Sequence, residues 1–236
     1  MAQLPKDLGE AIAQAREATQ AAIADGYNRL QVDLAFSELK PMPVAQQFVT
    51  AFADLGNQLK VIFPDAGAAA LARRDWGEVD FTIRGLGELR NQVQLEGQVF
   101  VLVAPTSAEV TKVEKLVEAL GDRPLILLNP RLEDVGIVGI GYAARQLRDR
   151  FLNTFEPCYY LRPLEEAALL RCYPSSWQVW LEMPAGDYQL HTEVAQKPIG
   201  EDLERILAKA AAGENPQPSR KSFFTELQQF LRALTQ

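Results

Sequence analysis

Apolar residues gather in short runs that stop at polar, proline-bearing loops. Residues 59–63 lead into Pro64-Asp65-Ala66-Gly67, residues 99–104 into Pro105-Thr106-Ser107, and residues 125–128 into Asn129-Pro130-Arg131. Continuous apolar runs such as 99–104 and 125–128 read as strands buried on both faces. Two of the loops run into apolar helical patterns. The pattern predicts an α/β fold with a Rossmann-like, mostly parallel sheet flanked by helices, whose ligands sit at the carboxyl ends of the strands.

The remaining elements follow from periodicity. Residues 6–25 form a helix with Leu8, Ile12, Ala15, Thr19 and Ile23 near one face, ended by Gly26. In residues 29–36, Leu30, Val32, Leu34 and Phe36 alternate with polar or small residues, the mark of a strand with one buried face. Further helices are expected over 44–55, with Pro43 in the first turn, 66–74, 106–120 and 142–153. Residues 79–83 read as a short strand and 86–98 fit no pattern. Thr106 and Glu109 have capping-box spacing. After residue 157 the chain changes character. Short strands over 158–162, 168–173, 178–182 and 188–194 alternate with Pro, Ser and Gly turns, predicting a C-terminal antiparallel meander. A helix over 201–211 follows. The expected organisation is a single domain over 4–212, a flexible linker over 213–221, and an amphipathic helix over 222–236 with Phe223, Leu227, Phe230, Leu231 and Leu234 on one side.

Charge and cysteine usage narrow the partners. A net charge of −7 disfavours nucleic acid as a partner of the whole surface. No apolar stretch has the length of a membrane span, and the first residues lack the apolar core of a secretory signal. Cys158 and Cys172 lack C-x-x-C spacing and read as core thiols in a reducing compartment. A cytoplasmic location is expected.

Catalytic signatures are sparse. Gly139-Ile140-Gly141-Tyr142-Ala143-Ala144 matches G-x-G-x-x-A, but it falls late in the α/β part and lacks the acidic strand end a dinucleotide site needs. No phosphate-binding P-loop and no G-x-S-x-G elbow occur. His191 is the sole histidine, so a histidine-cluster metal site is excluded. No catalytic residue, metal or cofactor is expected. The better constellation is spatial. Strands sharing one sheet bring Ser37, Glu38, Asp65, Thr106, Ser107, Asn129 and Arg131 to its carboxyl edge, where Arg131 can hold a phosphate or carboxylate. Asp65 and Thr106 equally suit N-caps, and Arg131 can pair with Glu133 or Asp134. Arg145, Arg148 and Arg150, with Arg162 and Arg171, make a second candidate, a basic face for a protein partner; nearby acids can also neutralise it. Trp177, Trp180, Tyr159, Tyr160 and Tyr173 fit an interface or the buried side of the meander.

Four groups of segments share a resemblance. They are Phe63-Pro-Asp-Ala-Gly67 with Arg74-Asp-Trp76; Leu127-Leu-Asn-Pro-Arg-Leu132; Phe151-Leu-Asn-Thr-Phe-Glu156 with Tyr160-Leu-Arg-Pro163; and Arg171-Cys-Tyr-Pro174 with Trp177. Together they resemble a domain-of-unknown-function family of cyanobacteria and chloroplasts, which includes the plant low photosystem II accumulation proteins and a domain appended to some chloroplast adenylate kinases. The resemblance covers about residues 4–210. It implies a stromal or cytoplasmic protein, peripheral to thylakoid membranes, that helps photosystem II assemble or accumulate through contacts with its subunits or with membrane insertion machinery. It carries no catalytic residues across. Kinase activity belongs to a separate domain whose phosphate loop this chain lacks.

The expectation is therefore a non-enzymatic factor acting through protein contacts, with Arg145, Arg148, Phe223, Leu227 and Phe230 as candidate contact residues. The alternative is a phosphorylated-metabolite binding protein or enzyme using Asp65, Thr106, Ser107, Asn129 and Arg131.

Overall fold

The computed structural model describes residues 3–89, 96–132, 142–184 and 186–213. The chain begins with α1 (Leu8–Ala24), whose cap Asp7 accepts a hydrogen bond from Glu10 N at 2.8 Å. Ala11, Ala15, Ala18 and Ala22 are all buried, so the helix backbone lies close against the sheet. Strand β1 (Arg29–Leu34), helix α2 (Pro41–Val49), a 3₁₀ segment (Thr50–Gln58), β2 (Leu59–Phe63), α3 (Ala66–Trp76) and β3 (Thr82–Gly85) come next. Then follow β4 (Val99–Val103), α4 (Val110–Leu120), β5 (Leu125–Leu128), α5 (Tyr142–Arg150), β6 (Glu156–Leu164), β7 (Ala167–Cys172), β8 (Trp177–Glu182), β9 (Tyr188–Val194) and α6 (Glu201–Gly213).

All nine strands form one sheet in the order β3-β2-β4-β5-β1-β6-β7-β8-β9. The strands from β3 to β6 run parallel, and β6 to β9 form the antiparallel meander. β6 belongs to both halves, because it pairs parallel with β1 and antiparallel with β7.

Alternation along the strands divides the core between the two faces. Val32 of β1, Val61 of β2, Val101 of β4 and Leu128 of β5 pack with α1, α2 and α3. Ile62, Phe100, Leu102 and Leu127 face the other way, onto Val113, Leu116 and Val117 of α4, with Leu147 of α5 against the same cluster. A third cluster joins Tyr160, Leu169, Trp177 and Val179 of the meander to Leu203 of α6. Chain moves toward the β3 edge thus place helices on one face and moves toward β6 place them on the other, as right-handed crossovers require.

The boundaries depart from the sequence reading where local chemistry competes. α2 starts at Pro41, because that proline takes the first-turn position assigned to Pro43, and it gives way to 3₁₀ at Thr50 ahead of Gly56, which has φ +48°. β3 lies at Thr82–Gly85, two to three residues later than expected, where Arg73 Nη1 donates to Ile83 O at 2.9 Å and ties α3 to the strand. Residues 107–109 form a 3₁₀ turn before α4, and α5 ends at Arg150 ahead of a separate 3₁₀ turn, Leu152–Thr154. α6 continues through Gly213, where the linker was expected to begin. The rest of that linker, and the tail with Phe223, Leu227 and Phe230, lie outside the described residues.

Gly85 is fixed by close approach. A Cβ there would stand 2.8 Å from Ala66 N and 2.8 Å from Asp65 C, both backbone atoms that cannot swing aside. Gly85→Ala is expected to lower stability by about 1–3 kcal/mol, read as a lower urea midpoint at unchanged m-value.

Candidate functional site

The topology creates two places at the carboxyl edge where neighbouring strands send their connections to opposite faces, the switch points at which α/β ligands collect. One lies between β2 and β4, which lead to α3 and α4; the other lies between β1 and β5, which lead to α2 and α5. The expected site residues divide between them. Asp65, Thr106 and Ser107 stand at the first, and Asn129 and Arg131 at the second.

At the first switch point the polar side chains close helix ends. Asp65 caps α3, accepting from Ala68 N at 2.8 Å. The Thr106 hydroxyl donates to Glu109 at 2.6 Å and accepts from Ala108 N at 3.4 Å, while Glu109 also accepts from Thr106 N at 2.9 Å. These residues satisfy amides that helix termini leave without partners. Ser107 is exposed, as are Ser37 and Glu38 in the turn beyond β1.

At the second switch point Asn129 clips β5 to β1. Its backbone N–H donates to Val32 O at 2.7 Å, and its side-chain Oδ1 accepts from Leu34 N at 2.8 Å. With φ +49° it occupies the left-handed region, which asparagine tolerates better than most residues. The next turn is held by Arg131 N donating to Pro105 O at 2.7 Å, and Arg131 bridges Thr106 in parallel. Beside this clip opens a crevice of about 190 Å³, lined by residues 33–36, Leu39 and Pro41 on the β1 side and residues 129–131 on the β5 side. The Arg131 side chain is exposed, and its expected pairing with Glu133 or Asp134 involves residues outside those described.

The sequence reading did not single out Asp33, a partly buried crevice residue. It sits on β1 opposite Tyr160 of β6, on the face away from Val32 and Leu34. Burial pushes its carboxyl up to about 6, against the lowering effects of a 2.6 Å hydrogen bond from Gln31 Nε2 and of the positive charge of Lys197. Lys197 itself lies over two aromatic faces, with Nζ 3.7 Å from the Tyr160 ring centroid and 5.6 Å from that of Trp177. An acid inside an alternating strand reads as solvent-facing. It is enclosed here because β1 is flanked by strands on both sides, a property no local pattern carries.

Packing engages several of the other candidates. Arg171 pairs with Glu156 at 2.7 Å and Arg150 with Glu114 at 2.8 Å, so neither is an unneutralised member of a basic face; Arg145 is exposed. Tyr159, Tyr160 and Trp177 are buried core residues, and Trp180 is partly buried with its indole N–H on Gln178. Tyr173 reaches Asp25 through its hydroxyl at 2.7 Å. Burial raises the Cys158 thiol to about 12 and the Cys172 thiol to about 11, which leaves both protonated and unreactive at neutral pH. Residues 139–141 of the glycine motif lie outside the described residues.

Because the Asp33 carboxyl titrates higher in the fold than its ordinary 3.8, its ionised form is disfavoured there. The penalty is absent well below pH 4, grows as pH rises from about 4 to about 6, and stands at about 3 kcal/mol above that. Asp33→Asn is expected to stabilise the protein by up to about that amount at pH 8 and by little at pH 4. Urea denaturation at the two pH values checks both sign and window.

The segments that carry the sequence resemblance are spread over the fold. Phe63 meets Trp76 at 5.7 Å, Phe151 meets Phe155 at 5.5 Å, Tyr160 meets Trp177 at 5.3 Å, and Arg171 holds Glu156. Each pair closes a different corner of the core. A family model described as a domain of unknown function, DUF1995, matches residues 5–205, which takes in every strand and all of α1–α5. The chain belongs to the DUF1995 family.

Proposed function

We propose that this protein is a non-enzymatic auxiliary factor that acts through protein contacts in the assembly or accumulation of photosystem II, on the stromal or cytoplasmic side and peripheral to the thylakoid membrane. The observation that carries this reading is the use made of the shared segments. Their aromatic and charged residues go into separate packing corners, and Asp65 and Asn129 among them are spent on backbone groups. What such segments specify in common is a shape. The resemblance to the low photosystem II accumulation proteins supplies the process, and no helix among the described residues is long and apolar enough to cross a membrane. The amphipathic tail at 222–236 is the proposed docking element. Affinity capture with the tagged chain from detergent-solubilised photosynthetic membranes is expected to recover photosystem II subunits or insertion factors. A chain shortened to residues 1–221 is expected to keep its thermal midpoint and lose them. A full-length chain that recovers neither class of protein overturns the reading.

A second reading has its own observation, the crevice between β1 and β5 with Asp33 inside and Arg131 at its edge. In it the protein binds a small phosphorylated metabolite, with the phosphate on the Arg131 guanidinium. Arg131→Ala is expected to weaken such binding about tenfold or more without changing the fold, measured by calorimetry. Unchanged affinity removes Arg131 from the site.

A further inference from the structure

The crevice has an acceptor with room beside it. Among the described residues, one side-chain donor, Gln31 Nε2 at 2.6 Å, reaches the Asp33 carboxylate, on Oδ2. A carboxylate has about four lone-pair sites across its two oxygens, so acceptor capacity remains. Solvation there is reduced, and an acceptor that gives up water without a donor in exchange is costly. Positive charge already bears on Asp33, because Lys197 acts on it from the β9–α6 connection. A further cation would face Lys197, and a phosphate placed against Asp33 would face a partly desolvated negative charge. Neutral O–H donors meet neither obstacle. Two adjacent hydroxyls can approach the two oxygens of one carboxylate together, and a strand-end acid takes a ribose hydroxyl in dinucleotide folds. The volume of about 190 Å³ equals that of about six water molecules, which is the bulk of a single sugar ring. Arg131 belongs to the same lining, where an anionic substituent can be held outside the ring.

We infer that the crevice between β1 and β5 is a sugar-phosphate site, in which paired ring hydroxyls donate to Asp33 and the phosphate lies on Arg131. This rests on the second reading above and names its ligand class. Gln31 fixes the carboxylate from the same strand, and Asn129, engaged with Leu34 N, forms the wall between the two strands. The groups that act on Asp33 or share its surroundings are Gln31 on β1, Tyr160 on β6, Lys197 before α6, and Asn129 and Arg131 in the same crevice lining.

The test is a carbon-13 NMR titration of the Asp33 carboxyl in the full chain, run alone, with ribose 5-phosphate and with inorganic phosphate. Hydroxyl donors favour the ionised carboxylate, so ribose 5-phosphate is expected to move the midpoint from about 6 to about 5 or below. Inorganic phosphate, bound at Arg131 alone, is expected to leave the midpoint unlowered. In calorimetry Asp33→Asn and Arg131→Ala are each expected to weaken ribose 5-phosphate tenfold or more. If inorganic phosphate binds at the crevice and ribose 5-phosphate leaves the Asp33 midpoint in place, the sugar assignment is wrong while the crevice reading stands. If neither probe perturbs Asp33 or the amides of residues 33–36 and 129–131, the crevice reading fails with it. The wild-type titration decides both points even if a variant does not fold.

Discussion

Pairing of β1 with β5 on one side and β6 on the other holds the molecule together. To the left of β1 lie four parallel strands; to its right lies the strand that starts the meander. Leu30, Val32 and Leu34 are buried against the helices of one face, and burying each such side chain is worth about 1.5–3 kcal/mol. Without this strand the parallel half and the meander would have no shared hydrogen-bond ladder. The same position explains why β1 carries chemistry on its other face. A strand with neighbours on both sides gives Gln31 and Asp33 a setting that an edge strand would leave in water.

Polar residues at the carboxyl edge divide into two kinds. Asp65, Thr106 and Asn129 are spent on backbone amides at helix starts and between strands. Asp33 differs, since burial works against its charge and Gln31 and Lys197 relieve only part of that cost. A carboxylate held at a cost to stability beside an open crevice has the character of a binding group. The packing corners formed by the segments that carry the sequence resemblance have the character of architecture. A scaffold that docks on proteins and a scaffold that holds a metabolite are compatible uses of one such fold.

Lys197 shows how the meander half touches the site. It leaves the β9–α6 connection and covers Tyr160 and Trp177, extending the cluster that seats α6 through Leu203. Its charge also acts on Asp33 of β1. The parallel and antiparallel halves are therefore coupled through the field of Lys197 as well as through the β1–β6 ladder.

The sequence by itself determined the elements. Short apolar runs fix β2, β4 and β5, alternation fixes β1, the Thr106–Glu109 spacing fixes a helix entry, and Pro, Ser and Gly turns mark the meander, since these depend on neighbours within a few residues. Boundaries slipped where two local signals competed, as at Pro41 and Pro43 or at the start of β3. Tertiary structure alone decided the strand order, and with it the site. The sequence placed Asn129 and Arg131 at a strand end, but only the crossing of β1 past β5 and β4 to β2 put them beside Asp33, a residue far away in the chain. Burial of Asp33 likewise comes from strands and a lysine that arrive from distant segments. Its raised carboxyl is a property of that enclosure, because desolvation depends on what surrounds a group in space and leaves no mark in the residues beside it in the chain.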